Sequence, residues 1–174
     1  MSNRKIPQMP DVSGGFLLYN ENSMMKTVLG LDGGTEGSYS EVMMMRILLA
    51  DDQPRVRFAL RVLLERRPGF EVAGEAVNAE GLLAQMETTC PDLVLLGWEL
   101  PGLAAVGSLS ALRRIYPDLY VIALSGRPEA RRAALAAGAD AFVSKGDPPE
   151  RLLAAINDCW RGQCQQSGRL RNPC

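Results

Sequence analysis

Arg46-Ile47-Leu48-Leu49-Ala50-Asp51-Asp52 sets four consecutive apolar residues directly before two carboxylates. An unbroken apolar run of this length suits a strand buried on both faces, as in a parallel sheet. Similar runs recur at residues 93–96, 121–124 and 141–143, whereas Phe70-Glu71-Val72-Ala73 alternates in the manner of an edge strand.

Helical spacing fills the intervals between these runs. Val56, Ala59, Leu60 and Leu63 recur at i, i+3, i+4 and i+7. Ala79, Leu82, Leu83 and Met86 repeat the period behind Asn78, a good N-cap. A third helix is expected to hold Leu109, Leu112 and Ile115 before Pro117 stops it, and a fourth, around 129–137, to end at Gly138. The last is expected to start at Asp147 as cap, with Pro148 at the first helical position and Glu150 three residues after the cap. It would bury Leu152, Leu153, Ile156 and Trp160. Five strands alternating with five helices predict an α/β fold: a flavodoxin-like, doubly wound parallel sheet of order 2-1-3-4-5 in a single domain. Ligands in such sheets bind at the carboxyl ends of the strands, so chemistry is expected just after Ala50, Leu96, Leu124 and Val143.

Outward from this α/β stretch, taken as residues 46–160, the chain changes character. Residues 1–45 hold scattered glycines and methionine clusters without a persistent period, and are expected to be a disordered arm. They could equally precede a start at Met43, Met44 or Met45. Within them, Leu29-Gly30-Leu31-Asp32-Gly33-Gly34-Thr35 looks like a phosphate loop, but a flexible glycine-rich linker is the favoured reading. Residues 161–174 read as a polar tail, too short for a DNA-reading helix-turn-helix. With 174 residues, a net charge of −1 and no apolar run near the ~20 residues of a membrane span, the composition points to a cytoplasmic protein. No nucleic-acid or membrane partner is expected. The absence of histidine excludes histidine-based catalysis, and the four cysteines lack zinc-site spacing and are expected to be free thiols.

The residues just past each strand decide the expected chemistry. Asp51 and Asp52 come after the first, Gly97-Trp98-Glu99 after the third, Ser125-Gly126 after the fourth, and Ser144-Lys145-Gly146 after the fifth. An acidic pair, a hydroxyl and a lysine at one sheet edge have the logic of a magnesium phosphate site, in which carboxylates hold the metal while lysine and hydroxyl hold phosphoryl oxygens. In these features the chain resembles bacterial response-regulator receiver domains of two-component phosphorelays, closest in texture to those of LuxR-type regulators. The resemblance implies that Asp51 and Asp52 form the acidic pair, with Asp52 the more direct Mg²⁺ ligand and the Glu99 backbone carbonyl a further one. It also makes Ser125 the hydroxyl that follows the phosphoryl group, Phe142 the aromatic switch and Lys145 the invariant lysine.

Two departures qualify this pattern. Gly97 stands where the family keeps its phospho-accepting aspartate, and Gly146 where it usually has proline. The resemblance therefore implies a pseudo-receiver with no catalytic residue, a weak or vestigial Mg²⁺ site, and Lys145 free to pair with Asp51 or Asp52. The expected role is a phosphorylation-independent protein-interaction module rather than an enzyme. Its expected partner is a histidine kinase, another regulator or a second copy as a homodimer, met through Arg131, Arg132, Glu150 and Arg151. Two alternatives stay open: a conventional Mg²⁺-dependent receiver whose acceptor was lost by mutation, and a remnant that binds a small anion.

Overall fold

The structure is a computed structural model that describes residues 15–19, 25–29, 41–42, 44–103 and 108–166, with side chains described from residue 44 to 103 and 109 to 161. Contacts divide the chain into two units, Met1–Met44 and Met45–Cys174. In the first, β1 (Gly15–Tyr19), β2 (Met25–Leu29) and β3 (Glu41–Val42) form an antiparallel sheet of order β1-β2-β3. The sequence carries no clear strand period there; the remainder of the expected arm, including most of the 29–35 glycine-rich run, lies outside the described residues.

The second unit alternates β4 (Met45–Ala50), α1 (Pro54–Glu65), β5 (Phe70–Ala76), α2 (Ala79–Thr89), β6 (Leu93–Gly97), α3 (Ser108–Ile115), β7 (Tyr120–Ser125), α4 (Ala130–Ala136), β8 (Ala141–Ser144) and α5 (Pro149–Gln166). Its five strands are parallel and ordered β5-β4-β6-β7-β8, the flavodoxin-like 2-1-3-4-5 arrangement. The alternating strand β5 lies at the edge, and β6 is buried along its whole length. Successive side chains of a strand point to opposite faces, so β4 feeds two cores. Leu48 and Ala50 pack with Leu82, Met86, Leu109 and Leu112 on one side. Met45, Ile47 and Leu49 pack with Leu60, Leu64, Leu152 and Ile156 on the other.

The helix boundaries follow local chemistry. Asn78 caps α2 by accepting a hydrogen bond from the Gly81 N–H at 2.8 Å, and Gly138 takes the positive φ of 105° that lets the chain leave α4. Four expectations need correction. Asp147 does not cap α5: its carboxylate accepts from the Ser144 N–H at 3.2 Å, and the helix begins one residue later than expected, at Pro149. Helix α5 also runs on to Gln166, into the stretch read as a tail, since no proline interrupts it. On α1 the apolar stripe is rotated, with Leu64 fully buried, Ala59 exposed and Phe58 68% exposed, while Ile115 of α3 points to solvent. Finally, the cysteines are not all free: Cys90 is disulfide-bonded, while Cys159 is a buried free thiol.

Candidate functional site

Four strand ends bring the singled-out residues to one edge of the sheet. Parallel hydrogen bonding continues one residue beyond each strand. Asp51 N–H donates to the Ala76 carbonyl at 3.0 Å, Trp98 N–H to Leu124 at 2.8 Å and Lys145 N–H to Ser125 at 2.8 Å. These bonds fix the register of Asp51, Gly97, Ser125 and Lys145 at the same level.

The centre of the site is an ion pair. The Asp51 carboxylate is fully buried, and its Oδ2 lies 2.7 Å from Nζ of Lys145, whose side chain is 15% exposed. The approach is that of an ion pair without good hydrogen-bond angles. Oδ1 accepts from the Gln53 N–H at 3.0 Å, so both carboxylate oxygens are engaged. The Asp51 carbonyl in turn accepts from Arg57 Nη1 at 2.7 Å. Arg57 Nε also reaches Glu75 at 3.0 Å, and Arg61 reaches the other Glu75 oxygen at 2.6 Å. Burial alone would raise the Glu75 carboxyl, but the hydrogen bonds from Arg61 and Arg57 outweigh it and hold the group below its ordinary range. The chain leaving β4 is thereby tied to both α1 and the edge strand.

Gly97 faces this ion pair. A Cβ built on its backbone would lie 2.6 Å from Asp51 Oδ2, 3.1 Å from Asp51 Cγ and 3.3 Å from the Ala50 carbonyl oxygen. The φ of Gly97 is not positive, so space rather than backbone conformation demands glycine here. The space beside the end of β6 is filled by the Asp51 carboxylate.

Beside it lies a second polar pair. Ser125 is fully buried; its hydroxyl donates to Glu99 Oε1 at 2.5 Å and accepts from the Arg127 N–H at 3.0 Å. Arg127 Nε lies 3.7 Å from the same Glu99 oxygen. Glu99, expected to contribute only its backbone carbonyl, instead turns its carboxylate onto Ser125. The only signal for it was an acidic residue two positions past a buried strand, followed by Pro101 in a tight turn.

The other singled-out residues are dispersed. Asp52 is exposed, and Phe142 is partly buried against the core that contains α2 and α3. Arg131 and Arg132 on α4 and Glu150 and Arg151 on α5 are all exposed, and among the described residues no ion pair joins them. Gly146 N–H donates to Ser144 Oγ at 3.3 Å, which forms a tight turn after β8 without proline. Among the described residues no group of three or more acidic, cysteine or histidine side chains is placed to hold a metal. Magnesium needs several convergent oxygens. Here the Asp51 carboxylate is paired with Lys145 and Glu99 with Ser125, Asp52 is exposed, and Gly97 supplies no oxygen.

Comparison with known proteins follows the same architecture. Residues 47–157 match the family model described as response regulator receiver domain. The nitrate/nitrite response regulator protein NarL of Escherichia coli K12 is 34% identical over 126 residues, covering 71% of this chain and 58% of NarL. The chain thus spans little more than half the length of that relative. A LuxR-family response regulator from Aurantimonas is 32% identical with a TM-score of 0.61, over 68% of this chain and 86% of its own. RcsB from Salmonella enterica serovar Typhimurium, solved bound to promoter rprA, shares the fold at 23% identity and a TM-score of 0.60, over 68% of this chain and 61% of RcsB.

These relatives correct the expectation of a signalling protein or a second copy as partner, with no nucleic acid. The relatives are regulators, and RcsB is solved on promoter DNA. Balanced charge describes only this receiver-like stretch, and carries no information about what regulators containing such a stretch bind. Among the described residues no helix is long and apolar enough to cross a membrane.

Proposed function

The chain belongs to the response regulator receiver family, a family of two-component signalling modules rather than classical enzymes, and from that premise we propose that it is a receiver without a phospho-acceptor. Gly97 stands at the acceptor position and has no group that could form an acyl phosphate. The single observation that carries this reading is the 2.6 Å between a Cβ at residue 97 and Asp51 Oδ2. The position carries no carboxylate, and a side chain there requires the Asp51 carboxylate to move aside.

In this reading Asp51 and Lys145 are the remnants of the phosphoryl and metal site, turned toward each other. Receivers typically bind Mg²⁺ there; in this chain the ammonium of Lys145 neutralises Asp51 instead, and Mg²⁺ binds weakly or not at all. A switch operates by favouring one of two packings through interactions at a single site. With those interactions made internally, the domain holds one conformation without phosphate. Phe142, Arg131, Arg132, Glu150 and Arg151 then form a surface of fixed rather than switched state. Binding of a free small anion is disfavoured, because the Lys145 ammonium and the Ser125 hydroxyl both already face carboxylates. Output on transcription is the setting suggested by the relatives.

The test is incubation with radiolabelled acetyl phosphate and Mg²⁺. The expected result is no hydroxylamine-labile label on this protein and measurable label on Gly97→Asp. A hydroxylamine-labile label on the glycine protein would overturn the reading and require another acceptor.

A further inference from the structure

We propose that Glu99 is a built-in anionic ligand of Ser125, which occupies the position on that hydroxyl that a phosphoryl oxygen would take and holds the β7–α4 turn in place. The inference rests on the reading of Ser125 as the hydroxyl of a former phosphoryl site, and adds what replaces the phosphoryl group there.

The geometry is specific. Ser125 is the last residue of β7 and is fully buried, so its hydroxyl must find partners inside the protein. It has two, one on each side. It donates to a carboxylate oxygen of Glu99 at 2.5 Å and accepts from the backbone N–H of Arg127 at 3.0 Å. Arg127 stands in the turn that leads into α4, and its N–H is tied through one hydroxyl to an anion on the turn after β6. The guanidinium of Arg127 lies 3.7 Å from the same carboxylate oxygen, on the solvent side. A hydroxyl donating to one anionic oxygen, with a guanidinium beside it, is the kind of donor set a phosphoryl oxygen attracts, and the Arg127 amide supports it one bond removed, through the hydroxyl. Glu99 supplies that oxygen from within the chain, on a longer side chain and from the turn beyond residue 97. Of the acidic pair after β4, Asp51 is paired with Lys145 and Asp52 is exposed.

Two consequences follow from a charge-assisted hydrogen bond of this kind, which is worth about tenfold or more in an equilibrium. Losing the Glu99 carboxylate releases the β7–α4 turn. It also frees Ser125 for an outside anion, once an acceptor is present to hold one.

The experiment uses the full chain and five variants: Glu99→Ala, Ser125→Ala, the two combined, Gly97→Asp, and Glu99→Ala in a Gly97→Asp background. Amide hydrogen exchange and nitrogen–proton correlation spectra are recorded for Gly126, Arg127 and the start of α4. The expected result is that Glu99→Ala and Ser125→Ala each raise exchange at the Arg127 amide by about tenfold, with no further increase in the double variant. Equal and independent effects that multiply in the double variant, or an Arg127 amide that does not respond to Glu99→Ala, would overturn the proposal. Beryllofluoride with Mg²⁺ then separates this inference from the one beneath it. Binding to Gly97→Asp that tightens about tenfold when Glu99 is also removed supports both; equal affinity with and without Glu99 overturns the role of Glu99 alone. If neither aspartate variant binds, the acceptor reading fails, while the exchange coupling still decides whether Glu99 holds the turn.

Discussion

Replacing Gly97 with alanine tests whether its space is closed, because two opposing effects predict opposite signs. Glycine within a strand costs about 0.5–1 kcal/mol relative to alanine, so propensity alone predicts stabilisation. Against this, the new methyl would meet Asp51 Oδ2 at 2.6 Å and Cγ at 3.1 Å. A flexible side chain could yield, but Asp51 is short and fully buried, and is held by the Gln53 N–H at 3.0 Å and Lys145 at 2.7 Å. Overpacking costs about 1–3 kcal/mol, and displacing Asp51 also loses part of its ion pair. The net expectation is a loss of about 2 kcal/mol, which lowers the urea midpoint by about 1 M at an unchanged slope. Urea unfolding followed by circular dichroism measures it. Gly126→Ala is the control, since a Cβ there meets nothing within 4 Å, and it should be neutral or slightly stabilising. The penalty at position 97 should largely vanish in an Asp51→Ala background. A Gly97→Ala protein as stable as the parent, or more so, would refute the reasoning.

Other perturbations probe the surrounding charges. Lys145→Met leaves the fully buried Asp51 carboxylate without its counter-charge and should cost about 3 kcal/mol; adding Asp51→Asn should recover at least half of that in denaturant titrations. Glu75→Gln removes a carboxyl whose folded value is held below the ordinary 4.5. A lowered folded value means stability that is present above 4.5 and lost as pH falls through the folded value, so the difference between parent and variant should shrink on acidification below about 4.5 and be flat above it. Thermal melts from pH 7 to pH 3 read this directly; a difference that grows with acid would contradict it. Burial pushes the Cys159 thiol up to about 11, so at pH 8 only about one in a thousand is thiolate. Peptide-resolved alkylation should find this cysteine unmodified in the native protein and modified rapidly in urea.

Much of the fold was legible because unbroken apolar runs and 3.6-residue spacing are strong, local signals. The runs at Ile47 and Leu93 became central strands, the alternation at Phe70 became the edge, and Asn78 and Gly138 act as boundary residues. Less legible were features that depend on a neighbour brought from elsewhere. Asp147 had every local mark of a cap, but the Ser144 N–H takes its carboxylate. Ala59 and Ile115 fit the helical period, yet the slight rotation of each helix turns them to solvent and brings Leu64 inward. In the site, the sequence put Asp51, Gly97, Ser125 and Lys145 at the strand ends because topology dictates that edge. It left open whether Lys145 would pair with Asp51 or Asp52, and gave no sign that Glu99 would turn onto Ser125. Those outcomes are set by which oxygen a long side chain reaches across 26 or more residues of sequence, as between Glu99 and Ser125.

The most direct test of the central claim is calorimetric binding of beryllofluoride with Mg²⁺ to the parent protein and to Gly97→Asp. Beryllofluoride mimics a phosphoryl group by attaching to an acceptor carboxylate. The account predicts heat of binding with the aspartate variant and none with the parent, whose site carries a closed Asp51–Lys145 pair and no acceptor. Saturable, one-to-one binding to the parent would mean that another carboxylate accepts the group, and would contradict the claim.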